Sequence, residues 1–400
     1  MVYTSPVIVG HRGFKAKYPE NTIVGFEKCF QNGGTIIETD TWLTKDQILI
    51  ISHDVSTKRI FVDKDGNETD FIIPQHNYDE LKDLKTVEGN YPLMTFQQLL
   101  TWFVGYSDSQ PNGQEDYKIM LDIKRLNAVK ILRFIIKDLL AVRNDLGWWL
   151  NKVQFGIWDL NFIKFFNQDE YFQQLFYGKE LGNQFGYNHF DIINISGSWR
   201  HSIQYINYNF YLDNLKDDSR FKFKITGISL LHFSTWSPDF LTKFVPLLRL
   251  QNLKFYSWTI NTTEQFDYVS TVGKAAKLRE YGVISDLPDE MYQHKLSHED
   301  QSSSSTDQIN SSGDDDLESK AGINQEFYND NGDLSIKLTF KQRFANWFFT
   351  TLTSFGSKPT TEINYEETFK SIVDENYVVQ QKPSKIFIWI FATLQHYGLA

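Results

Sequence analysis

Short apolar runs alternate with amphipathic stretches over roughly the first 290 residues of the chain. The amphipathic stretches carry apolar residues at helical spacing. The first of them predicts a helix with Asn21 as its N-cap and with Gly33 and Gly34 at its end. The runs that predict buried strands are Val7–Val9, Thr35–Thr39, Ile48–Ser52, Ile119–Ile123, Val153–Ile157, Ile192–Ser196, Ile225–Leu230, Phe255–Trp258 and Gly282–Ile284.

Strands that alternate with helices favour an α/β fold with parallel strands joined by right-handed crossovers. Nine candidate strands within about 280 residues fit a TIM-type (β/α)8 barrel with one additional strand or hairpin. A doubly wound open sheet gives a similar pattern, and periodicity alone does not separate the two folds. We predict the barrel, over residues 1–293.

The composition changes after the predicted barrel. Residues 294–333 contain the serine run Ser302–Ser305 and the acidic run Asp314–Asp316, and no Lys or Arg lies between Lys295 and Lys320. Such a segment buries too little apolar surface to offset its conformational entropy. We therefore predict a disordered acidic linker.

Residues 334–400 form an aromatic amphipathic tail that we expect to contact a membrane surface. Basic residues accompany the first aromatic segment, as in helices that lie in a membrane surface, although such a helix could instead pack on the barrel. A second segment, Lys385–Leu394, is too short to cross a bilayer of about 30 Å. The large side chains at helical spacing in the first segment are Phe340, Phe344, Trp347, Phe348 and Leu352.

Charge and cysteine content narrow the class of protein. A net charge of −10 and a pI near 5.4 give no basic surface for a nucleic acid, so we expect no such partner. The single cysteine excludes an internal disulfide framework and favours a reducing, intracellular compartment. The first residues lack the charged and apolar regions of a signal peptide, and no apolar run is long enough for a membrane span.

Polar residues follow several predicted strands, at the end of a barrel where catalytic residues lie. Glu38, Asp40 and Asp122 would form an oxygen-ligand site suited to Mg²⁺ or Ca²⁺. Two histidines, His11 and His53, are candidates for acid and base near neutral pH. The remaining candidates, which would bind the substrate, are Arg12, Lys124 and Trp258.

Simpler structural roles are open for the same residues. The carboxylates could form salt bridges to Arg12 and Lys124, which would then only neutralise them. Trp258 could pack at the barrel mouth without contacting substrate. Asp286 could orient a catalytic group, but we expect it to cap a loop.

The ordered set of motifs resembles the glycerophosphodiester phosphodiesterase family over residues 7 to about 290. The resemblance implies a TIM-type barrel and a divalent-metal-dependent phosphodiesterase, with His11 and His53 as the acid/base pair. It also implies that Glu38, Asp40 and Asp122 hold the metal, although the family usually has Glu at the third position. The motifs are His11-Arg12-Gly13, Pro19-Glu20-Asn21-Thr22, Phe26, Glu38-x-Asp40, Thr44-x-Asp46, His53-Asp54, Asp122-x-Lys124, Trp258-Thr-x-Asn261 and Gly282-Val-Ile-x-Asp286-x-Pro288.

A narrower resemblance points to the fungal phosphatidylglycerol phospholipase C branch of that family. It implies cleavage of phosphatidylglycerol to diacylglycerol and glycerol phosphate, at a mitochondrion, the endoplasmic reticulum or a lipid droplet. Alternatives are a glycerophosphodiester phosphodiesterase or lysophospholipase D-like enzyme on another substrate and, more remotely, an inactive lipid-binding barrel. The segments that carry this resemblance are residues 11–22, Met120-Leu-Asp-Ile-Lys124, Trp148–Phe166, Pro246-Leu-Leu and Tyr256-x-Trp258-Thr.

Overall fold

The computed structural model describes residues 5–110, 116–181, 188–216, 219–304, 335–354, 369 and 373–379. Its strands are β1 (Val7–Gly10), β2 (Ile36–Leu43), β3 (Leu49–Ile51), β4 (Phe61–Val62), β5 (Lys85–Thr86), β6 (Lys118–Ile123), β7 (Val153–Ile157), β8 (Asp191–Ser196), β9 (Gly227–Leu231), β10 (Lys254–Trp258) and β11 (Tyr281–Ser285). Its helices are α1 (Ile23–Gln31), α2 (Tyr78–Leu81), α3 (Phe96–Ser109), α4 (Ile131–Val142), α5 (Leu146–Lys152), α6 (Leu160–Gln168), α7 (Glu170–Phe176), α8 (Trp199–Asn214), α9 (His232–Thr235), α10 (Val245–Leu250), α11 (Thr263–Ala275), α12 (Pro288–Ser304) and α13 (Phe340–Ser354).

Eight parallel strands close into a barrel, which confirms the predicted fold and excludes the open sheet. The strand order is β1-β11-β10-β9-β8-β7-β6-β2, and β1 also pairs with β2 to complete the circle. The additional strand is β3, which pairs antiparallel with β2 outside the circle. The barrel therefore has the one extra hairpin that the strand count predicts.

The core lies mainly between the barrel and its helices. Parallel strands covered on both faces are buried throughout, and every residue of β2 is buried. A smaller apolar cluster fills the inside of the barrel. Its fully buried members are Val9, Ile36, Met120, Ile193, Tyr256 and Ile284.

The segment 61–115, between β3 and β6, contains two different units. Its first part, with β4, β5 and α2, packs around Trp42 and Ile50 in a small apolar cluster beside the barrel. Its second part, α3, belongs to the outer helix layer and packs on α4. Residues 111–115 lie outside the described residues.

The predicted start of α1 is wrong by one residue. Thr22 is the N-cap, and its hydroxyl accepts a hydrogen bond from the Gly25 backbone N–H. Asn21 instead adopts a left-handed conformation with φ of 57°, which asparagine tolerates better than most residues. This conformation leaves the Asn21 side chain available to the strand ends.

The predicted linker is wrong over residues 294–304, because α12 continues to Ser304; residues 305–334 lie outside the described residues.

The tail is partly attached to the barrel. Its helix α13 packs on α9, and the Glu375 and Tyr377 carbonyls accept backbone hydrogen bonds from the segment before α4. Within the described part of the chain, no helix has the length and apolarity needed to cross a bilayer.

Candidate active site

His11 lies directly after β1 and is held by an aspartate that follows the last strand, β11, at the same mouth of the barrel. Its Nδ1 lies 2.6 Å from Asp286 Oδ1, and Asn261 donates to the other Asp286 oxygen at 3.0 Å. Burial lowers the pKa of His11, although the Asp286 carboxylate acts in the opposite direction. Asp286 therefore orients His11, a predicted catalytic residue. The loop-capping role that we expected for Asp286 does not account for this contact.

His53 reaches the same mouth by a route that the strand pattern did not predict. Strand β3 runs antiparallel to its neighbours, but β2 extends beyond the barrel, so β3 brings the chain back toward Asp40. The Ser52 N–H donates to the Asp40 carbonyl, and His53 Nδ1 lies 2.6 Å from Asp54 Oδ1. Burial and the nearby Lys124 ammonium lower the pKa of His53 well below its usual value.

Glu38, Asp40 and Asp122 converge as predicted, with one ligand atom from each within 4.8 Å of the others. Strands β2 and β6 are neighbours, and their register places Asp40 opposite Asp122. Hydrogen bonds fix each carboxylate. The donors are the Arg12 N–H to Glu38 (2.8 Å), Asn21 Nδ2 to Asp40 (3.0 Å) and Trp158 Nε1 to Asp122 (2.6 Å).

The three buried carboxylates repel one another. Burial, together with the charges of Asp40 and Asp122, raises the pKa of Glu38 well above its usual value. Burial also raises the pKa of Asp122. At Asp40 burial opposes ionisation, but Lys124, His53 and Arg12 outweigh it and lower the pKa. Asp40 therefore ionises readily, whereas ionisation of Glu38 and Asp122 costs free energy.

The two predicted cations have different partners. Lys124 Nζ lies 2.7 Å from Asp40 Oδ1 and 2.6 Å from Asp122 Oδ2, so it does neutralise the cluster. The Arg12 guanidinium pairs mainly with Glu20 at 3.3 Å, and its Nε is 3.9 Å from Asp40. Lys124 therefore forms the salt bridges that were considered as the alternative to substrate binding. Both Lys124 and Arg12 also line the cavity where a phosphate would lie.

The donor set fits a divalent cation. It consists of carboxylate oxygens, the ligands that Mg²⁺, Ca²⁺ and Mn²⁺ prefer. The three carboxylates outnumber the two cations beside them, Lys124 and Arg12. Burial and, after it, the charges of Asp40 and Asp122 raise the pKa of Glu38. A bound cation would remove the repulsion at all three positions.

The site opens into a cavity of about 370 Å³ at the mouth of the barrel. One wall is polar, with both histidines, and the other is apolar. Trp258 stands at this apolar wall and makes an edge-to-face contact with Trp158, 5.7 Å between ring centroids. Its indole Nε1 is buried and has no hydrogen-bond partner among the described residues. The apolar lining residues are Trp42, Val55, Met120, Leu126, Trp158, Ile195, Trp258 and Ile284.

The sequence pattern did not indicate the roles of Trp158 and Asn21 in this site, and it favoured a different role for Asp286. Trp158 directly follows β7, so its position at a strand end was a usable signal. Asp286 likewise follows β11, and Asn21 lies in the quoted motif after His11. Their partners are set by tertiary contacts between distant strands, which the sequence pattern does not show.

Comparison with known proteins identifies the family. The profile described as the glycerophosphoryl diester phosphodiesterase family matches residues 11–290. A glycerophosphodiester phosphodiesterase of Bacillus altitudinis is 40% identical over 75 residues, covering 19% of this chain and 28% of that protein. A Bacillus subtilis protein is 29% identical over 151 residues, covering 33% of this chain and 54% of that protein. The chain thus matches about a quarter to a half of the length of these relatives.

Solved structures agree with the fold. A glycerophosphodiester phosphodiesterase from Parabacteroides distasonis superposes with a TM-score of 0.50 at 16% identity, covering 74% of this chain and 99% of that one. A phosphodiesterase from Oleispira antarctica, in complex with the product sn-glycerol-3-phosphate, has a TM-score of 0.50 at 16% identity, covering 72% and 96%. The profile match spans more than half of the sequence, and the chain belongs to the glycerophosphoryl diester phosphodiesterase family, a family of phosphoric diester hydrolases.

Proposed function

We propose that this protein is a divalent-cation-dependent phosphodiesterase that cleaves phosphatidylglycerol to diacylglycerol and glycerol phosphate at a membrane surface. One observation carries the proposal: both histidines and two of the three carboxylates, Glu38 and Asp122, line a cavity whose other wall is apolar. A soluble diester needs the polar wall only. A phospholipid would also use the apolar wall, where its glycerol backbone and the first acyl carbons would lie.

The chain's own residues account for acid–base chemistry. Glu38, Asp40 and Asp122 would hold the cation, which when bound supplies charge stabilisation at a phosphate oxygen. Asp286 and Asp54 each hold the Nδ1 of a histidine, so the Nε2 atoms of His11 and His53 are available to exchange protons. One histidine would accept a proton from water, or from the headgroup 2-hydroxyl, which would give a cyclic phosphate that water then opens to glycerol phosphate. The other histidine would protonate the diacylglycerol leaving oxygen. Lys124 and Arg12 would share the phosphate charge.

Helix α13 offers the contact with the membrane. It is fixed near the mouth because Asn346 donates to the Phe233 carbonyl at 2.7 Å, and Phe233 lies in α9 directly after β9. Residues 335–354 contain three basic residues and no acidic one, although the chain carries a net charge of −10. The face is exposed and cationic, as binding to anionic lipid requires. Its exposed aromatics are Phe340, Phe344, Trp347 and Phe348.

Product analysis on the full chain tests the substrate. The enzyme is given phosphatidylglycerol vesicles and, separately, soluble glycerophosphoglycerol, each with and without EDTA. We expect diacylglycerol from the vesicles, and its loss with EDTA. Turnover of the soluble diester alone would contradict the lipid substrate, and turnover of neither would favour an inactive barrel. The intracellular compartment stays a prediction.

A pair of variants tests the role of α13. Phe344→Ala with Trp347→Ala should reduce vesicle turnover about tenfold or more, because each removes an exposed ring from the membrane-facing surface. Turnover of a monomeric short-chain phosphatidylglycerol should not change. Tyr177→Ala is the matched control, since this exposed aromatic lies at the end of α7. Equal turnover by both variants would show that α13 does not bind the membrane.

A further inference from the structure

A second cluster of potential metal ligands lies on the outside of the barrel, between α11 and α12. His294 Nε2 is 2.8 Å from Asp267 Oδ1, and His298 Nε2 is 3.4 Å from the same oxygen. The two Nε2 atoms are 3.2 Å apart. One carboxylate oxygen and two imidazole nitrogens thus form a small triangle, with Asp267 in α11 and both histidines in α12.

We propose that this triangle binds Zn²⁺, with water as the fourth ligand. Zinc bound at about 2.0–2.2 Å in a tetrahedron separates its ligand atoms by roughly 3.3–3.6 Å. The observed separations of 2.8 to 3.4 Å are close to these edges, and small side-chain rotations would open the shortest one. Two histidines four residues apart lie one helical turn from each other, so both present nitrogens on the same side.

The ligand types separate this site from the catalytic cluster. Imidazole nitrogens suit zinc and other late first-row metals, whereas Mg²⁺ and Ca²⁺ prefer the all-oxygen set at the barrel mouth. The helical site also faces solvent, since the His298 side chain is 51% exposed and Asp267 48%. An ion can therefore reach it without entering the cavity.

A hydrogen-bonded pair of one histidine and one glutamate provides a contrast within the same chain. His76 lies four residues before Glu80, and their side chains are 2.7 Å apart. No third His, Cys, Asp or Glu completes a metal-ligand group there among the described residues. The pair at Asp267 differs because a second histidine approaches the same oxygen and supplies the third ligand atom that a metal site needs.

The bound ion would join two helices that matter to the active site. Helix α11 begins shortly after Asn261, and α12 begins shortly after Asp286. These two residues together hold His11. A metal that links α11 to α12 would therefore stabilise the part of the fold that orients His11, from outside the cavity.

Binding is tested on the full-length protein in excess Mg²⁺, which occupies the oxygen site. Zn²⁺ and, for its visible spectrum, Co²⁺ are titrated into wild type, His298→Ala, His294→Ala and the control His76→Ala. We expect one equivalent of Zn²⁺ in wild type and His76→Ala, a Tm increase of several degrees, and the intense absorption of tetrahedral Co²⁺. Both α12 variants should lose all three signals.

Because His298 is exposed, His298→Ala should fold, and its Mg²⁺-dependent turnover should equal that of wild type. Equal Zn²⁺ affinity and an equal Tm increase in wild type and His298→Ala would overturn the proposal. So would a wild type with no Zn²⁺ equivalent above the His298→Ala background. Neither result would affect the proposed diesterase activity, which is measured separately.

Discussion

Both ends of the barrel bury charged residues, but the two groups differ in balance. At the amino ends of the strands, Lys254 lies 2.7 Å from Asp191 and 3.1 Å from Glu280. Thr226 donates to Asp191, and the Tyr256 hydroxyl donates to Glu280. This lower cluster is sealed from solvent, and each acid has both a cation and a hydroxyl donor.

In the upper cluster of Glu38, Asp40 and Asp122, Glu38 and Asp122 line the cavity, and the cations do not contact every acid. Lys124 contacts two of its three carboxylates, whereas among the described residues Glu38 accepts a hydrogen bond only from the Arg12 backbone N–H. The pKa of Glu38 is raised well above its usual value by burial and by its neighbours, whereas the pKa of Asp191 below is lowered despite its burial, because Lys254 faces it. The lower cluster is thus complete as a structural element, and the upper one is suited to an added cation.

The first variant separates the two clusters by activity. Glu38→Gln should reduce diester turnover by about 10³-fold or more, because it removes a cation ligand and with it the stabilisation of phosphate charge. The free energy of unfolding without added cation should be unchanged or higher, since one repelling carboxylate is gone. Turnover and urea unfolding of the same preparation give both values. Wild-type turnover would contradict the assignment of Glu38.

The second variant makes the opposite change at the lower cluster. Lys254→Met should cost about 3–5 kcal/mol of unfolding free energy, because Asp191 and Glu280 lose their shared buried cation. Any folded fraction should turn over diester at the wild-type rate. Lys274→Met, at an exposed position in the last turn of α11, is the control for loss of a lysine. An unfolding free energy within about 0.5 kcal/mol of wild type would show that the lower cluster does not stabilise the barrel.

A third variant weakens the upper site without touching its carboxylates. Asp286→Asn should lower kcat about 10²-fold with little change in KM, because His11 loses the acceptor that holds its ring. It should also shift the acidic limb of the pH–rate profile to lower pH, because the Asp286 charge raises the pKa of His11 and the variant lacks that charge. Asp289→Asn removes a surface partner of Lys17 and serves as the control. A structural role alone would lower stability and leave the pH profile in place.

The smallest effect is a pH dependence of stability. In EDTA-treated protein, the folded-state pKa of Glu38 lies above its unfolded value of about 4.5, so the folded state holds the extra proton between the two. Wild type should therefore lose stability relative to Glu38→Gln as pH rises from about 4.5 through the raised pKa. Urea midpoints of both proteins across this range measure the difference. A constant difference would contradict the repulsion inferred at the upper cluster.

Sequence patterns predicted the barrel and most residues of the candidate site, because apolar runs and the polar residues after them are local features. The partners of those residues were harder to predict. Asp286 follows Asn261 and the last strand, yet it binds His11 from the first, a contact that only closure of the barrel creates. The start of α1 and the extent of α12 also differ, since Asn21 binds Asp40 and α12 packs on β1 beyond the composition boundary.

The most direct test of the central claim is a calorimetric titration of the EDTA-treated full chain with Mg²⁺, Mn²⁺ and Ca²⁺. The claim is that Glu38, Asp40 and Asp122 form one divalent-cation site. We expect one equivalent bound by wild type and by His298→Ala, and none by Glu38→Gln or Asp122→Asn. Equal binding by wild type and both carboxylate variants, or no binding by wild type, would contradict it.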